Sequence, residues 1–319
     1  MIKMPKYLRR KILQLISIFL IPHFYIYSSG MSDKVKSFGK ITFLDAEDAY
    51  SSLAAKYQEE SPEFWEYYAE SLRMGILFSI KDLKKDLKNP YGNDFTWTPY
   101  RCKEHYKEAC SYYRKKAFVY ECCDYCVCCV RKNINYAKAM EMNAKKEDIS
   151  LLLILNGYEE NEKYDPEQSW EKVKNTKPSY EKYAIAKKSE MIFYLSQTEE
   201  NLDNVIENWE NVINDELLIE SFRGRKSSTW IAYESFANRK IVAFKFLKDH
   251  LFQKDNNNKI TIDSLKKAFI DNYEKDIIVY NETKKKVFKA FAYEAAALYN
   301  SREFFEGFYR LPIQENLNL

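Results

Sequence analysis

Glycine and proline are scarce, at 7 and 8 of 319 residues. A β-sandwich needs a tight turn about every 8–12 residues, and so few turn formers cannot supply them. Histidine is scarcer still, with His23, His105 and His250 alone. No His-Glu-x-x-His, Gly-x-Ser-x-Gly or Gly-x-Gly-x-x-Gly occurs, so the sequence offers no zinc-protease, serine-hydrolase or dinucleotide-binding signature. Adjacent acids such as Glu59-Glu60 and Glu199-Glu200 point to different faces of a helix. Carboxylate catalysis would therefore need groups that the fold brings together. No catalytic, cofactor-binding or metal residue is assigned from sequence, and no cofactor is implied.

The net charge of +3 is unevenly placed. Residues 1–30 hold Lys3, Lys6, Arg9, Arg10 and Lys11 and no acid, so the rest of the chain carries −2. A body this near neutrality gives no electrostatic reason to expect nucleic acid. Short basic runs such as Lys284–Lys286 are expected on solvated helix faces. The first 30 residues join a basic start, an apolar core Ile12–Ile21 and small residues Ser28, Ser29 and Gly30. That is the pattern of a secretory signal, interrupted by Gln14 and Pro22 and too short for a membrane span. The competing reading starts the protein at Met31 in the cytoplasm. Membrane association is expected only through residues 1–30, if they are retained.

What the chain has in abundance is helical periodicity and aromatics, 16% of residues with 26 Tyr. From Leu202, apolar residues recur at helical spacing through Val205, Ile206, Trp209, Val212 and Ile213. Tyr180–Leu195 forms a second helical segment, with Ser196 and Glu199 at capping-box spacing between them. A helical hairpin over 178–214 follows. Residues 45–59 predict a short helix with Ala46, Tyr50, Leu53 and Ala54 on one face. Ser61-Pro62 opens a helix to Lys88 that buries Trp65, Tyr68, Leu72, Ile76, Ile80, Leu83 and Leu87. Residues 89–99 read as a loop. Two helices are expected across Tyr100–Met142, then an apolar run Leu151–Leu155 that fits a buried helical turn or a lone strand. Asp165-Pro166 marks a boundary, and further helices are expected over 229–252, 262–282 and 284–311. The fold class is all-α, an array of antiparallel helical hairpins, divided into residues 31–165 and 166–319.

The Asn204–Ile213 stretch, with Val205-Ile206, Trp209 and Val212-Ile213, resembles the second helix of a tetratricopeptide (TPR) repeat. The first helix lacks the family's Gly–Tyr packing pair, and no Pro follows at the expected place. No second copy recurs at a fixed period, and residues 286–311 are the candidate for a degenerate second unit. The resemblance implies a groove that binds a protein or peptide, and a protein-interaction or scaffold module is the leading expectation.

All seven cysteines lie between Cys102 and Cys129, five of them in Cys122–Cys129. Cys123-x-x-Cys126 or Cys126-x-x-Cys129, with Cys102-x-x-His105, would suit tetrahedral zinc or a redox site. On one helix, Val119, Cys122, Cys126, Cys129 and Val130 form an apolar stripe instead, which predicts small hydrophobes in a core. Same-helix neighbours are poor disulfide partners. Residues 253–264 resemble an EF-hand calcium loop, with Asp255 and Asn257 at ligand positions. Gln253, Asn258 and Ser264 replace the first ligand, the glycine and the final acid, so a polar interhelical turn with Thr261 or Asp263 near a helix start is expected. Gly224–Ser227 lacks the strand and the upstream glycine of a phosphate-binding loop. Besides the interaction module, two alternatives stay open: a metal or redox role centred on 102–129, and an envelope-anchored structural protein.

Overall fold

A computed structural model of the chain describes residues 37–83, 92–120, 127–157, 166–176, 180–215, 228–252 and 260–307. The chain divides into two compact units, Met1–Gly39 and Lys40–Leu319, and every helix named below belongs to the second. The segment 1–30 and Cys122, Cys123 and Cys126 lie outside the described residues, as do Gly224–Ser227 and residues 253–259.

The fold is all-α. Among the described residues there are ten helices: α1 (Phe43–Ala54), α2 (Pro62–Leu83), α3 (Gly92–Val119), α4 (Val127–Leu155), α5 (Pro166–Lys174), α6 (Glu181–Leu195), α7 (Glu199–Ile213), α8 (Ser228–Leu251), α9 (Ile262–Thr283) and α10 (Lys286–Asn300). None of the described helices is long and apolar enough to cross a membrane. Each helix packs on its neighbours in the chain, and α10 packs back on α1, so the contacts form a closed circuit. Residues on both sides of position 165 take part in it.

Local chemistry sets the helix starts. Thr42 caps α1 in a reciprocal box: its hydroxyl accepts the Asp45 N–H at 3.4 Å, and the Asp45 carboxylate accepts the Thr42 N–H at 2.7 Å. Ser61 accepts the Phe64 N–H at 3.2 Å ahead of Pro62, as its sequence position predicts. Thr261 caps α9 by accepting the Ser264 N–H at 3.1 Å. The α6–α7 hairpin forms over the expected residues, but its second helix starts later than the Ser196–Glu199 spacing suggests. Thr198, in extended backbone, accepts the Asn201 N–H at 3.2 Å, while Ser196 closes α6.

Several elements differ from the sequence reading. The expected loop 89–99 is helical from Gly92, with Pro99 inside α3. Burial of Cys102, Tyr106, Ala109 and Tyr113 along the same helix offsets the roughly 3 kcal/mol an interior proline costs. Leu151–Leu155 is the end of α4, not a strand, and the chain leaves it at Gly157 with φ of +76°. The last helix stops at Asn300 rather than 311. Arg302, Glu306 and Gly307 take left-handed backbone and fold residues 301–307 back onto the body, burying Phe304 and Phe305. Of the proposed cysteine stripe, Cys122 and Cys126 lie outside the described residues, and Val119, at the end of α3, is 77% exposed.

The circuit is closed by specific bonds. Tyr50 on α1 donates its hydroxyl to Glu294 on α10 at 2.5 Å, and Asn300 donates to the Ile41 carbonyl at 2.9 Å. The aromatic content supplies much of the core. Trp209 meets Tyr183 and Phe236 edge-on, and Phe244 meets Phe193 the same way. Each fully buried aromatic contributes roughly 2–3 kcal/mol.

Candidate functional site

The circuit surrounds a cavity of about 520 Å³. Its lining comes mainly from α2, α4, α6, α8 and α10, with Tyr50, Tyr106, Asn272 and Asp276 added from α1, α3 and α9. The residues follow helical steps of three or four. Glu66, Glu70 and Arg73 lie on one face of α2, and Lys138, Glu141, Lys145 and Asp148 on one face of α4. Tyr183 and Lys187 on α6, Phe236 and Arg239 on α8, and Phe291 and Glu294 on α10 repeat the pattern. These helices therefore bury two faces, one apolar and one charged. On α2, Ile76 and Ile80 enter the core as expected, but Trp65, Tyr68 and Leu72 are only half-buried, whereas Glu66, Glu70 and Ser71 are buried.

A buried charge must be paired or its burial is costly. Here the pairs join into one network. Glu66 accepts Lys138 at 3.0 Å and the Tyr113 hydroxyl. Lys138 and Lys145 share Glu141 at 3.2 and 3.4 Å, and Lys145 reaches Glu70 at 2.8 Å. Arg73 bridges Glu70 at 2.7 Å and Glu294 at 2.5 Å. Glu306, delivered by the 301–307 turn, lies 3.9 Å from Arg73 and 2.6 Å from Lys240. Lys240 and Lys187 then meet the fully buried Glu190 at 3.4 and 3.3 Å. A helix running on to residue 311 would not have brought Glu306 there.

The pairing separates the acids into two classes. Burial raises Glu70, but Lys145 and Arg73 outweigh it and hold its carboxyl down to about 2. Glu306 is likewise held well below the carboxylate range, because Lys240, Lys187 and Arg73 overcome its burial. Asp148 goes the other way: burial pushes it up to about 6, against Lys187 and the hydrogen bond from the Trp170 indole at 3.0 Å. Asp276 is also raised well above its usual range by burial, with Arg239 opposing and Glu294 reinforcing the shift.

The residues singled out from sequence sit elsewhere. Cys102 is buried and donates its thiol to the Ala69 carbonyl at 3.3 Å, and burial pushes its thiol pKa up. His105 lies one turn on, with its ring against Trp65 and Tyr68. Burial, then Arg101, push its pKa down to about 4. The two side chains thus engage different partners rather than converging as a ligand pair. Among the described residues, no three His, Cys, Asp or Glu side chains are grouped to hold a metal. Ile260 at the end of the EF-hand-like stretch donates its N–H to Asp249 at 2.7 Å.

Sequence reasoning missed the cavity. The step of 3, 4 and 3 through Lys138, Glu141, Lys145 and Asp148 was its visible signal, and an exposed charged face produces the same signal. No protein-family model matches the chain, and neither a curated protein nor a solved structure was found to resemble it.

Proposed function

We propose that the protein is a binding module whose central cavity receives a short peptide segment or a small molecule of peptide-like polarity. The observation that carries this reading is the lining itself. A volume of about 520 Å³ lies within the range of small-ligand sites, roughly 300–1,000 Å³. Its wall alternates carboxylates, ammonium groups and tyrosines, which suits a partner rich in both donors and acceptors. The lining charges are held by ion pairs with one another, so the wall is organised before a ligand enters and less ordering entropy is lost on binding. The likeness of the α6–α7 hairpin to a tetratricopeptide unit supports the same reading, since such arrays take peptides on their concave faces.

The test is a thermal-shift screen of tripeptides and small polar compounds against the wild type and Ala232→Trp. Ala232 lines the cavity and is buried, so an indole there occupies ligand space. Compounds that stabilise the wild type and lose their effect in the variant support the proposal. Stabilisation that survives in Ala232→Trp places binding elsewhere and refutes it.

A second reading, acid–base catalysis on the bound molecule, draws on Asp148. A carboxyl raised to about 6 in the same cavity as Glu70, held down to about 2, is the separation that acid–base chemistry uses. It predicts that Asp148→Asn binds a screened ligand as the wild type does but no longer converts it. Unchanged ligand after prolonged incubation with the wild type would refute it.

A further inference from the structure

We infer that Arg239 anchors a single carboxylate carried by the cavity's occupant. This rests on the cavity being a binding site and adds what the site selects.

Arg239 lines the cavity and is 4% exposed, yet its Nε and Nη1 have no hydrogen-bond partner. The other lining cations, Arg73, Lys138, Lys145 and Lys187, are each in an ion pair. Among the described residues, no carboxylate lies within ion-pair distance of Arg239. Asp276 on α9 faces it, and Asp276 instead accepts a hydrogen bond from Asn272 at 3.1 Å. Burial pushes the Asp276 carboxyl well above its usual range, against the pull of Arg239. Rings of Phe236 and Phe269 lie 5.1 Å from the guanidinium carbon, fixing its plane and leaving its edge for polar partners.

A buried cation without an anion is unfavourable, and an occupant that supplies one negative charge removes the penalty. A planar guanidinium offers N–H donors that suit the two oxygens of a carboxylate. Seven carboxyl groups line the cavity against five cations, so a singly charged anion is favoured over a dianion. The other cations are already matched by Glu66, Glu70, Glu141, Glu294 and Glu306, so a phosphate monoester would bring a surplus charge against those carboxylates. Phe236, Phe288 and Phe291 line the same space and suit an apolar or aromatic body behind the carboxylate.

The experiment is isothermal titration of the full chain at neutral pH with 3-phenylpropionate, 3-phenylpropionamide and phenyl phosphate. Ala-Ala-Phe with a free and with an amidated C-terminus is titrated alongside. A carboxylate preferred at least tenfold over its amide and over the phosphate is expected. Preference among the peptides identifies a peptide C-terminus as the source, and preference confined to 3-phenylpropionate identifies a free small acid. Arg239→Met is expected to weaken carboxylate binding at least tenfold while melting no lower than the wild type, since it removes an unpaired buried charge. If that variant does not fold, the wild-type comparison of carboxylate with amide still decides. Equal affinity for acid and amide, tighter phosphate binding, or unchanged affinity in Arg239→Met overturns the inference. If neutral ligands bind and are lost only in Ala232→Trp, the cavity reading stands and the carboxylate anchor falls. If no compound of either set binds, both fall.

Discussion

Trp209 on α7 donates its indole N–H to Glu190 on α6 at 2.7 Å, and both residues are completely buried. The bond ties the outer helix of the hairpin to the charge network around the cavity, because Glu190 also meets Lys187 and Lys240. Trp209→Phe keeps an aromatic ring but removes the donor and leaves space behind. We expect a loss of about 2–4 kcal/mol in urea unfolding. Trp65 donates to the Glu59 carbonyl at the half-exposed start of α2, so Trp65→Phe should cost less than about 1 kcal/mol. Equal effects for the two variants would mean that the Glu190 bond contributes nothing beyond packing.

Lys240 stands between Glu190 and Glu306 with its side chain 4% exposed. Lys240→Met leaves two carboxylates facing each other without their shared cation and should destabilise by about 3–5 kcal/mol. Lys245 and Glu210 form a pair of similar length in which both side chains are more than a third exposed. Lys245→Met should change stability by less than about 1 kcal/mol. Chemical denaturation of both variants at low and moderate salt checks the contrast.

Asp148 gives a pH dependence of defined sign. Its folded carboxyl is raised to about 6 from an ordinary 3.8, so between these values the folded state holds the extra proton. Stability from this group is therefore present below about pH 4 and is lost as pH rises through about 6. Asp148→Asn keeps an oxygen to accept the Trp170 N–H and has no proton to lose. Its stability relative to wild type should rise by roughly 2–3 kcal/mol between pH 4 and pH 7. Glu70 and Glu306 act in the opposite sense, losing their contribution as pH falls, but they are common to both proteins and cancel in the difference. A difference between the two melting curves that does not change with pH would refute the assignment.

Gly307 is required by geometry. Its φ is +75°, and a Cβ there would meet Leu77 Cδ2 at 2.8 Å. Gly307→Ala should cost about 2 kcal/mol or more and displace the turn that carries Glu306. Gly39 has ordinary backbone and nothing within 4 Å of such a Cβ, so Gly39→Ala should stay within about 0.5 kcal/mol of wild type. Thermal melts of the two variants test the pair.

The helices were legible because their apolar residues recur at helical spacing. The face Ala46, Tyr50, Leu53 and Ala54 is buried on α1, and Leu202, Val205, Ile206, Trp209 and Val212 are buried on α7. The cavity was not legible, because Glu66, Glu70 and Arg73 have the spacing and composition of a face turned to solvent. Only closure of α10 on α1 turns that face inward, and closure is set by contacts such as Tyr50 to Glu294, 244 residues apart. The turn at 301–307 was hidden for a related reason. Its aromatics fit a continued helix, and the left-handed residues Arg302 and Glu306 are not types that announce such backbone. The loop expected over 89–99 failed because turn-forming residues are weak evidence where a long helix can bury its distal half.

Methyl NMR on protein labelled at Ile and Leu, titrated with a compound from the thermal-shift screen, tests the central claim most directly. Ile149 and Leu152 line the cavity, whereas Ile134 and Ile278 are exposed on the outside. Saturable shifts at Ile149 and Leu152, with Ile134 and Ile278 unmoved, are the predicted result. Shifts at Ile134 or Ile278 with Ile149 and Leu152 unmoved would contradict the account and put the binding surface on the outer face of the helices.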